Sequence, residues 1–86
     1  MSPTKVLAIE YVLTNKFDEL KSLTNEQLTE VDENGRNAMH AASFKGNIKF
    51  LNYIIEKLGD NVKEHINNVD NDGRTVAMYC CGVEWN

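Results

Sequence analysis

The chain has 86 residues and a net charge of −4, with a pI near 5.0. This length holds one domain, and the acidic balance argues against a general nucleic-acid-binding protein, which needs a basic patch. No apolar run approaches the roughly 18–20 residues that span a bilayer. Because the first residues also lack the basic start and apolar core of a signal peptide, we expect a protein of the cytoplasm or nucleus. Two adjacent cysteines without a CxxC spacing fit that reducing setting.

The first third of the chain predicts short helices joined by turns. Ser2-Pro3 is typical of a helix start. Apolar residues then recur with helical spacing over 6–13 and again over 17–23. Thr24 and Gln27 have the spacing of a capping box, which predicts one more short helix.

Two later stretches repeat one order of residue types. Each opens with Asp-x-x-Gly, a turn signal, and the two glycines, Gly35 and Gly73, are 38 residues apart. Small and apolar residues follow, which predicts helices over 38–45 and about 76–83. Gly46 is placed to end the first of these in a left-handed conformation. Self-similarity at a period of about 20–50 residues indicates stacked supersecondary units.

A helix is also predicted between the two stretches, because apolar residues there recur at spacings of three and four. These residues are Ile48, Leu51, Ile54, Ile55 and Leu58. The segment 59–65 follows it, where Asn61 and Glu64 could cap a further short helical turn.

The repeated stretch resembles an ankyrin repeat, whose familiar run is D-x-x-G-x-T-P-L-H-x-A-A-x-x-G. The positions in register are Asp32, Gly35, Met39, His40, Ala42 and Gly46, then Asp70, Gly73 and Thr75. The resemblance implies an all-α helix-turn-helix solenoid, formed by a single ankyrin-repeat domain over 1–86. It divides that domain into a degenerate N-terminal repeat (1–31), a full repeat (32–69) and a half repeat (70–86). The full repeat is about five residues longer than the usual 33, with the insertion near 59–65. The resemblance also implies that the imidazole of His40 hydrogen-bonds the backbone of neighbouring turns.

Site chemistry has little support in the sequence. Asp70–Gly73 invites a calcium-loop interpretation, but Tyr79 stands where that loop needs a bidentate Glu, so we expect a turn held by side-chain hydrogen bonds. Cys80 and Cys81 occupy the small-residue positions of the ankyrin helix, where thiols pack as small apolar groups. No nucleophile pairs with His40 in the sequence. We therefore expect no catalytic residue, no cofactor and no metal.

In ankyrin-like proteins, partners dock on the turn tips and on the exposed side of the inner helices. The corresponding positions are Glu33, Asn34, Arg36, Phe44 and Lys45 in the full repeat and Asn71, Asp72, Arg74, Gly82 and Val83 in the last unit, with Trp85 beyond them. Phe44, flanked by Arg36 and Lys45, is either an aromatic anchor for the partner or a residue that packs on the next helix.

The C-terminal end offers a second surface. Met78, Tyr79, Val83 and Trp85 fall in the last nine residues with no outer helix to cover them. An apolar end of this kind marks an interaction site, which either a symmetric homodimer or the remainder of a longer protein would cover.

Three functions follow from these patterns. The leading hypothesis is a non-enzymatic protein-recognition module with a protein partner. The second is the N-terminal part of a longer ankyrin array attached to an effector domain, with a structural role only. The third is an enzyme or metal protein whose site the sequence does not reveal.

Overall fold

The computed structural model describes residues 6–80, Gly82 and Trp85, and these residues contain helices and turns but no strand. The helices are α1 (Leu7–Leu13), α2 (Phe17–Lys21), α3 (Asn25–Leu28), α4 (Ala38–Lys45), α5 (Ile48–Leu58), α6 (Val62–Ile66) and α7 (Val76–Tyr79), with a 3-10 turn over Gly59–Asn61. The predicted helix start at Ser2-Pro3, and the residues Cys81 and Val83, lie outside the described part. Within that part, no helix combines the length and apolar character that a bilayer crossing requires.

The helices form two layers. The inner layer is α1, α4 and α7, with α4 in contact with both of the others. The outer layer contains α2, α3 and α5, where the ring of Phe17 meets Phe50 and Tyr53 edge-on at centroid distances of 5.1 and 5.5 Å. Edge-to-face pairs at this separation add to the free energy gained by burying the rings. The aromatic group therefore fastens α2 to α5.

Helix α4 forms the centre of the molecule because its side chains are small. Ala38, Ala41 and Ala42 are fully buried, so the backbones of α1 and α7 can approach from two sides. Asn37 begins the helix with a capping box, in which its side chain accepts from the N–H of His40. Gly46 ends it at φ 66°, the left-handed cap that the sequence predicts.

Helix α5 is amphipathic as predicted, but its buried face is rotated from the predicted stripe. Phe50, Ile54 and Leu58 face the core at a spacing of four. Ile48, which the stripe included, is 62% exposed. The periodicity alone could not select between Ile48 and Phe50, because Ile48 lies three residues before Leu51 and Phe50 lies four residues before Ile54.

The additional residues between α5 and the second turn are helical. The 3-10 turn and α6 follow α5 directly, as the predicted extra helical turn requires. The side chain of Asn61 does not cap α6, however. Instead, the carbonyl of His65 accepts a hydrogen bond from Nδ2 of Asn37 over 3.3 Å. This bond ties α6 to the start of α4.

Candidate functional site

Two turns with the same internal geometry form one edge of the molecule. In the first, Oδ1 of Asp32 accepts from the backbone N–H groups of Asn34 and Arg36, both at 2.9 Å. In the second, Oδ1 of Asp70 accepts in the same way from Asp72 at 2.9 Å and Arg74 at 2.8 Å. Aspartate side chains that bond their own following backbone hold such turns rigidly. We call residues 32–36 and 70–74 the turn tips.

The turn tips are hydrogen-bonded to each other. The N–H of Asn71 donates to the carbonyl of Asn34 over 2.8 Å. Nδ2 of Asn71 donates to the carbonyl of Glu33 over 2.9 Å. A Cβ on Gly35 would lie 2.9 Å from Oδ1 of Asn71 and 3.2 Å from its nitrogen. A glycine is therefore required at position 35 for two reasons: the turn needs a positive φ, and the second turn tip approaches too closely for a side chain.

Below the tips, His40 joins the two units. Its Nδ1 accepts from the N–H of Asn37 at 3.2 Å, so the ring proton belongs on Nε2, which then donates to the carbonyl of Arg74 over 3.2 Å. Burial lowers the pKa of His40, although the hydrogen bond to Arg74 and the nearby carboxylates of Asp70 and Asp32 oppose that shift. The neutral imidazole is the form that satisfies both partners. The structure thus confirms the expected bond to a neighbouring turn.

Asp70 is engaged within its own unit. The hydroxyl of Tyr79 donates to its Oδ2 in a short hydrogen bond, while Oδ1 holds the turn. Burial alone would raise the pKa of Asp70, but the hydrogen bonds from Tyr79 and from the backbone of Arg74 and Asp72 hold it below its usual value. Burial, together with the bond to Asp70, raises the pKa of Tyr79 to about 12. The described residues include no group of three or more His, Cys, Asp or Glu side chains that could hold a metal ion.

The residues predicted as a partner surface divide by exposure. Those exposed are Glu33, Asn34, Phe44, Lys45, Asn71 and Asp72. Arg74 and Trp85 are half-buried, and Val83 lies outside the described residues. Arg36 differs from the prediction because it is only 6% exposed. Its guanidinium is bound to Oδ2 of Asp32, with Nε and Nη2 each at 2.9 Å, and so it acts within the fold.

Trp85 lies over this face instead of extending the open end of the stack. Cζ of Arg36 is 3.7 Å from the centroid of the indole, a cation–π contact worth about 0.5–2 kcal/mol. The rings of Phe44 and Tyr79 lie at centroid distances of 5.6 and 5.8 Å from it. Phe44 therefore packs on a later residue while remaining 37% exposed. We call the position between Arg36, Phe44 and Tyr79 the aromatic slot.

The predicted apolar C-terminal end is only partly open. Tyr79 is buried and Trp85 is half-buried, whereas Met78 is 48% exposed. A groove of about 430 Å³ runs between α5 and α7. Apolar and small side chains line most of it, including Leu51, Ile66 and Val76.

Two residues hold this site together through contacts that the sequence did not predict. Asn37 is fully buried and links α4, His40 and α6. Its position three residues before His40 is a capping-box spacing, so the signal was present. The hydroxyl of Tyr79 donates to Asp70, nine residues earlier in the chain, and no local sequence pattern predicts this hydrogen bond.

Comparison with known families agrees with this architecture. A family model described as ankyrin repeats in three copies matches residues 6–84. No curated protein matches the chain. Since the match covers most of the 86 residues, the chain belongs to the ankyrin-repeat family, whose members generally act as protein–protein interaction modules.

Proposed function

We propose that this chain is a non-enzymatic protein-recognition module, and that its partner binds across the turn tips and the exposed side of α4. The observation that carries the proposal is the pair of hydrogen bonds from Asn71 to the backbone of Asn34 and Glu33. These bonds join the tips into one platform before a partner arrives. A surface that is already ordered loses less conformational entropy on binding.

The side chains available on this platform are of mixed charge. Glu33 and Asp72 are exposed acidic groups, and Lys45 is an exposed basic group at the end of α4. Phe44, directly before Lys45 in the sequence, adds a partly accessible aromatic ring. Aromatic residues often dominate binding energies, while charges at the rim steer association.

Charge reversal at matched positions tests the proposal. Glu33→Lys alters a turn tip, and Glu56→Lys makes the same change on the exposed side of the outer helix α5. Proteins captured by the wild-type chain are identified by quantitative mass spectrometry, and the purified partner is then titrated by calorimetry. We expect Glu33→Lys to weaken binding by about ten-fold or more, and Glu56→Lys to leave it within about two-fold.

A second pair tests the end of the inner helix. Lys45 and Lys57 each lie in the last turn of their helix, so Lys45→Glu and Lys57→Glu lose the same interaction with a helix dipole. We expect only Lys45→Glu to weaken binding of the partner. Loss of binding in Glu56→Lys and Lys57→Glu, with the other two variants unaffected, would assign recognition to the outer face and overturn the proposal.

We also propose that the protein is located in the cytoplasm or nucleus. The thiol of Cys80 is free and exposed, and such a thiol persists in a reducing compartment. Localisation of the tagged chain by fluorescence microscopy tests this assignment.

Homodimerisation and the structural role in a longer array stay predictions. The packing of Tyr79 and Trp85 within the chain removes two of the side chains on which the dimer depended. Light scattering over a range of concentrations measures the mass directly. A dimer that Met78→Asp dissociates would restore self-association through that end.

A further inference from the structure

Trp85 reaches the aromatic slot from a distant part of the chain, 49 positions after Arg36. Its indole lies on the guanidinium of Arg36, with Phe44 and Tyr79 at its sides. The slot belongs to the same face as the turn tips and α4. A side chain of this chain therefore covers part of the surface proposed for partners.

Contacts that do not involve Trp85 hold the walls of the slot. Asp32 fixes the guanidinium of Arg36 through two contacts of 2.9 Å. Tyr79 is held by its hydrogen bond to Asp70 and by the edge of His40, with ring centroids 5.0 Å apart. Phe44 is carried by the last turn of α4. Removal of the indole would thus leave a formed slot.

We infer that the aromatic slot is a docking position for an aromatic side chain of the partner, and that Trp85 fills it in the free chain. A partner engages the slot only by displacing Trp85. The inference rests on the proposed function and adds the chemical class of the group that the partner presents. The favoured group is an indole, because tryptophan binds a cation over its face better than the other aromatic residues.

This arrangement makes Trp85 an internal competitor. A side chain tethered to the same chain acts at a high effective concentration, so it lowers the apparent affinity of an external aromatic group. Removing the indole should therefore strengthen the binding of an aromatic peptide, the opposite of what loss of an ordinary contact residue produces.

The experiment uses a fluorescein-labelled peptide with the sequence of residues 82–86 as the probe, followed by anisotropy. The proteins are the wild-type chain, Trp85→Ala, and Trp85→Ala combined with Phe44→Ala. We expect Trp85→Ala to bind the probe about ten-fold or more tightly than the wild type, and the double variant to lose that gain. A probe with alanine in place of its tryptophan should bind none of them.

Circular dichroism establishes that each variant is folded. Where Trp85→Ala is unfolded at the working temperature, Trp85→Leu replaces it with the same expectations. Equal affinity of the wild type and the folded variant, or no binding by that variant, would overturn the inference.

These outcomes are independent of the charge-reversal test. Loss of partner binding in Glu33→Lys, without probe binding to Trp85→Ala, would overturn the slot as a docking position and leave the turn tips and α4 as the partner surface. Probe binding to Trp85→Ala, with partner affinity unchanged in Glu33→Lys and Lys45→Glu, would support the slot and overturn the proposed partner surface.

Discussion

The imidazole Nε2 of His40 lies 3.2 Å from the carbonyl oxygen of Arg74, and this contact joins the inner helix of one unit to the turn of the next. The residue is fully buried, so the bond is shielded from water. Its Nδ1 is used by Asn37. One side chain therefore begins its own helix and fixes the neighbouring turn, which places both turn tips in register.

Acid should weaken the fold through His40. Burial lowers the pKa of this group from an ordinary value of 6.5, so the unfolded chain binds a proton at a pH where the folded chain does not. Neutral His40 therefore contributes fully to the free energy of unfolding above pH 6.5. This contribution is lost as the pH falls from 6.5 toward the lowered pKa of the folded state. We expect the free energy of unfolding to decrease by up to about 1.4 kcal/mol per pH unit across this window, measured by urea denaturation.

The variant His40→Gln isolates that effect. Glutamine is a normal residue at the third position of a capping box, and Gln27 already plays this role for α3. The variant should lose about 1–3 kcal/mol at pH 7.5, because the carbonyl of Arg74 loses its buried donor. It should also show a flatter slope below pH 6.5. An unchanged slope in the variant would contradict the assignment to His40.

The two turn glycines should respond differently to the same substitution. Both have φ of 79°, where a Cβ costs about 1–2 kcal/mol. A Cβ on Gly35 would also meet Asn71 at 2.9 Å, whereas Gly73 has nothing within 4 Å. Gly35→Ala should therefore destabilise the fold by about 1–3 kcal/mol more than Gly73→Ala. Equal losses by urea denaturation would mean that the turn tips are not in contact.

The hydroxyl of Tyr79 should stabilise the fold through Asp70. Tyr79→Phe keeps the ring against His40 and removes the donor to a buried carboxylate, at a cost of about 1–3 kcal/mol at pH 7. The pKa of Asp70 is held below its ordinary 3.8, so this contribution is fully present above pH 3.8 and is lost as the pH falls from there toward the lowered value. The loss of stability in Tyr79→Phe should therefore be constant from pH 7 to about pH 4 and become smaller below pH 3.8.

Tyr53→Phe is the matched control for that prediction. Its hydroxyl donates to the carbonyl of Lys21 over 3.3 Å at an exposed position. We expect a change within about 0.5 kcal/mol. A loss in Tyr79→Phe that is the same at every pH would assign its effect to packing instead of to Asp70.

Local patterns were sufficient for much of this fold. The Asp-x-x-Gly turns, the capping box of Thr24 and the left-handed Gly46 each depend on a few neighbouring residues, and each is present as predicted. The bond from His40 to the next turn followed from the resemblance, because a repeat places equivalent residues at fixed distances.

The site was harder to predict from the sequence, because its contacts join residues far apart in the chain and are not repeated from one unit to the next. The resemblance predicted Arg36 as part of the partner surface, yet Asp32 and Trp85 enclose its guanidinium. Nothing periodic links Trp85 to Arg36, so the sequence suggested an uncovered end where the structure has an aromatic cluster. The rotated face of α5 has a different cause, since Ile48 and Phe50 are equally apolar and only packing against α4 selects between them.

Quenching of Trp85 fluorescence by acrylamide tests most directly whether the indole lies in the aromatic slot, because Trp85 is the only tryptophan in the chain. With the indole packed on Arg36, Phe44 and Tyr79, the quenching constant of the wild type should be well below that of the free peptide of residues 82–86. The constant should rise clearly in folded Phe44→Ala. A wild-type constant equal to that of the peptide would contradict this placement, because the slot would then be empty and Trp85 would not cover the surface proposed for partners.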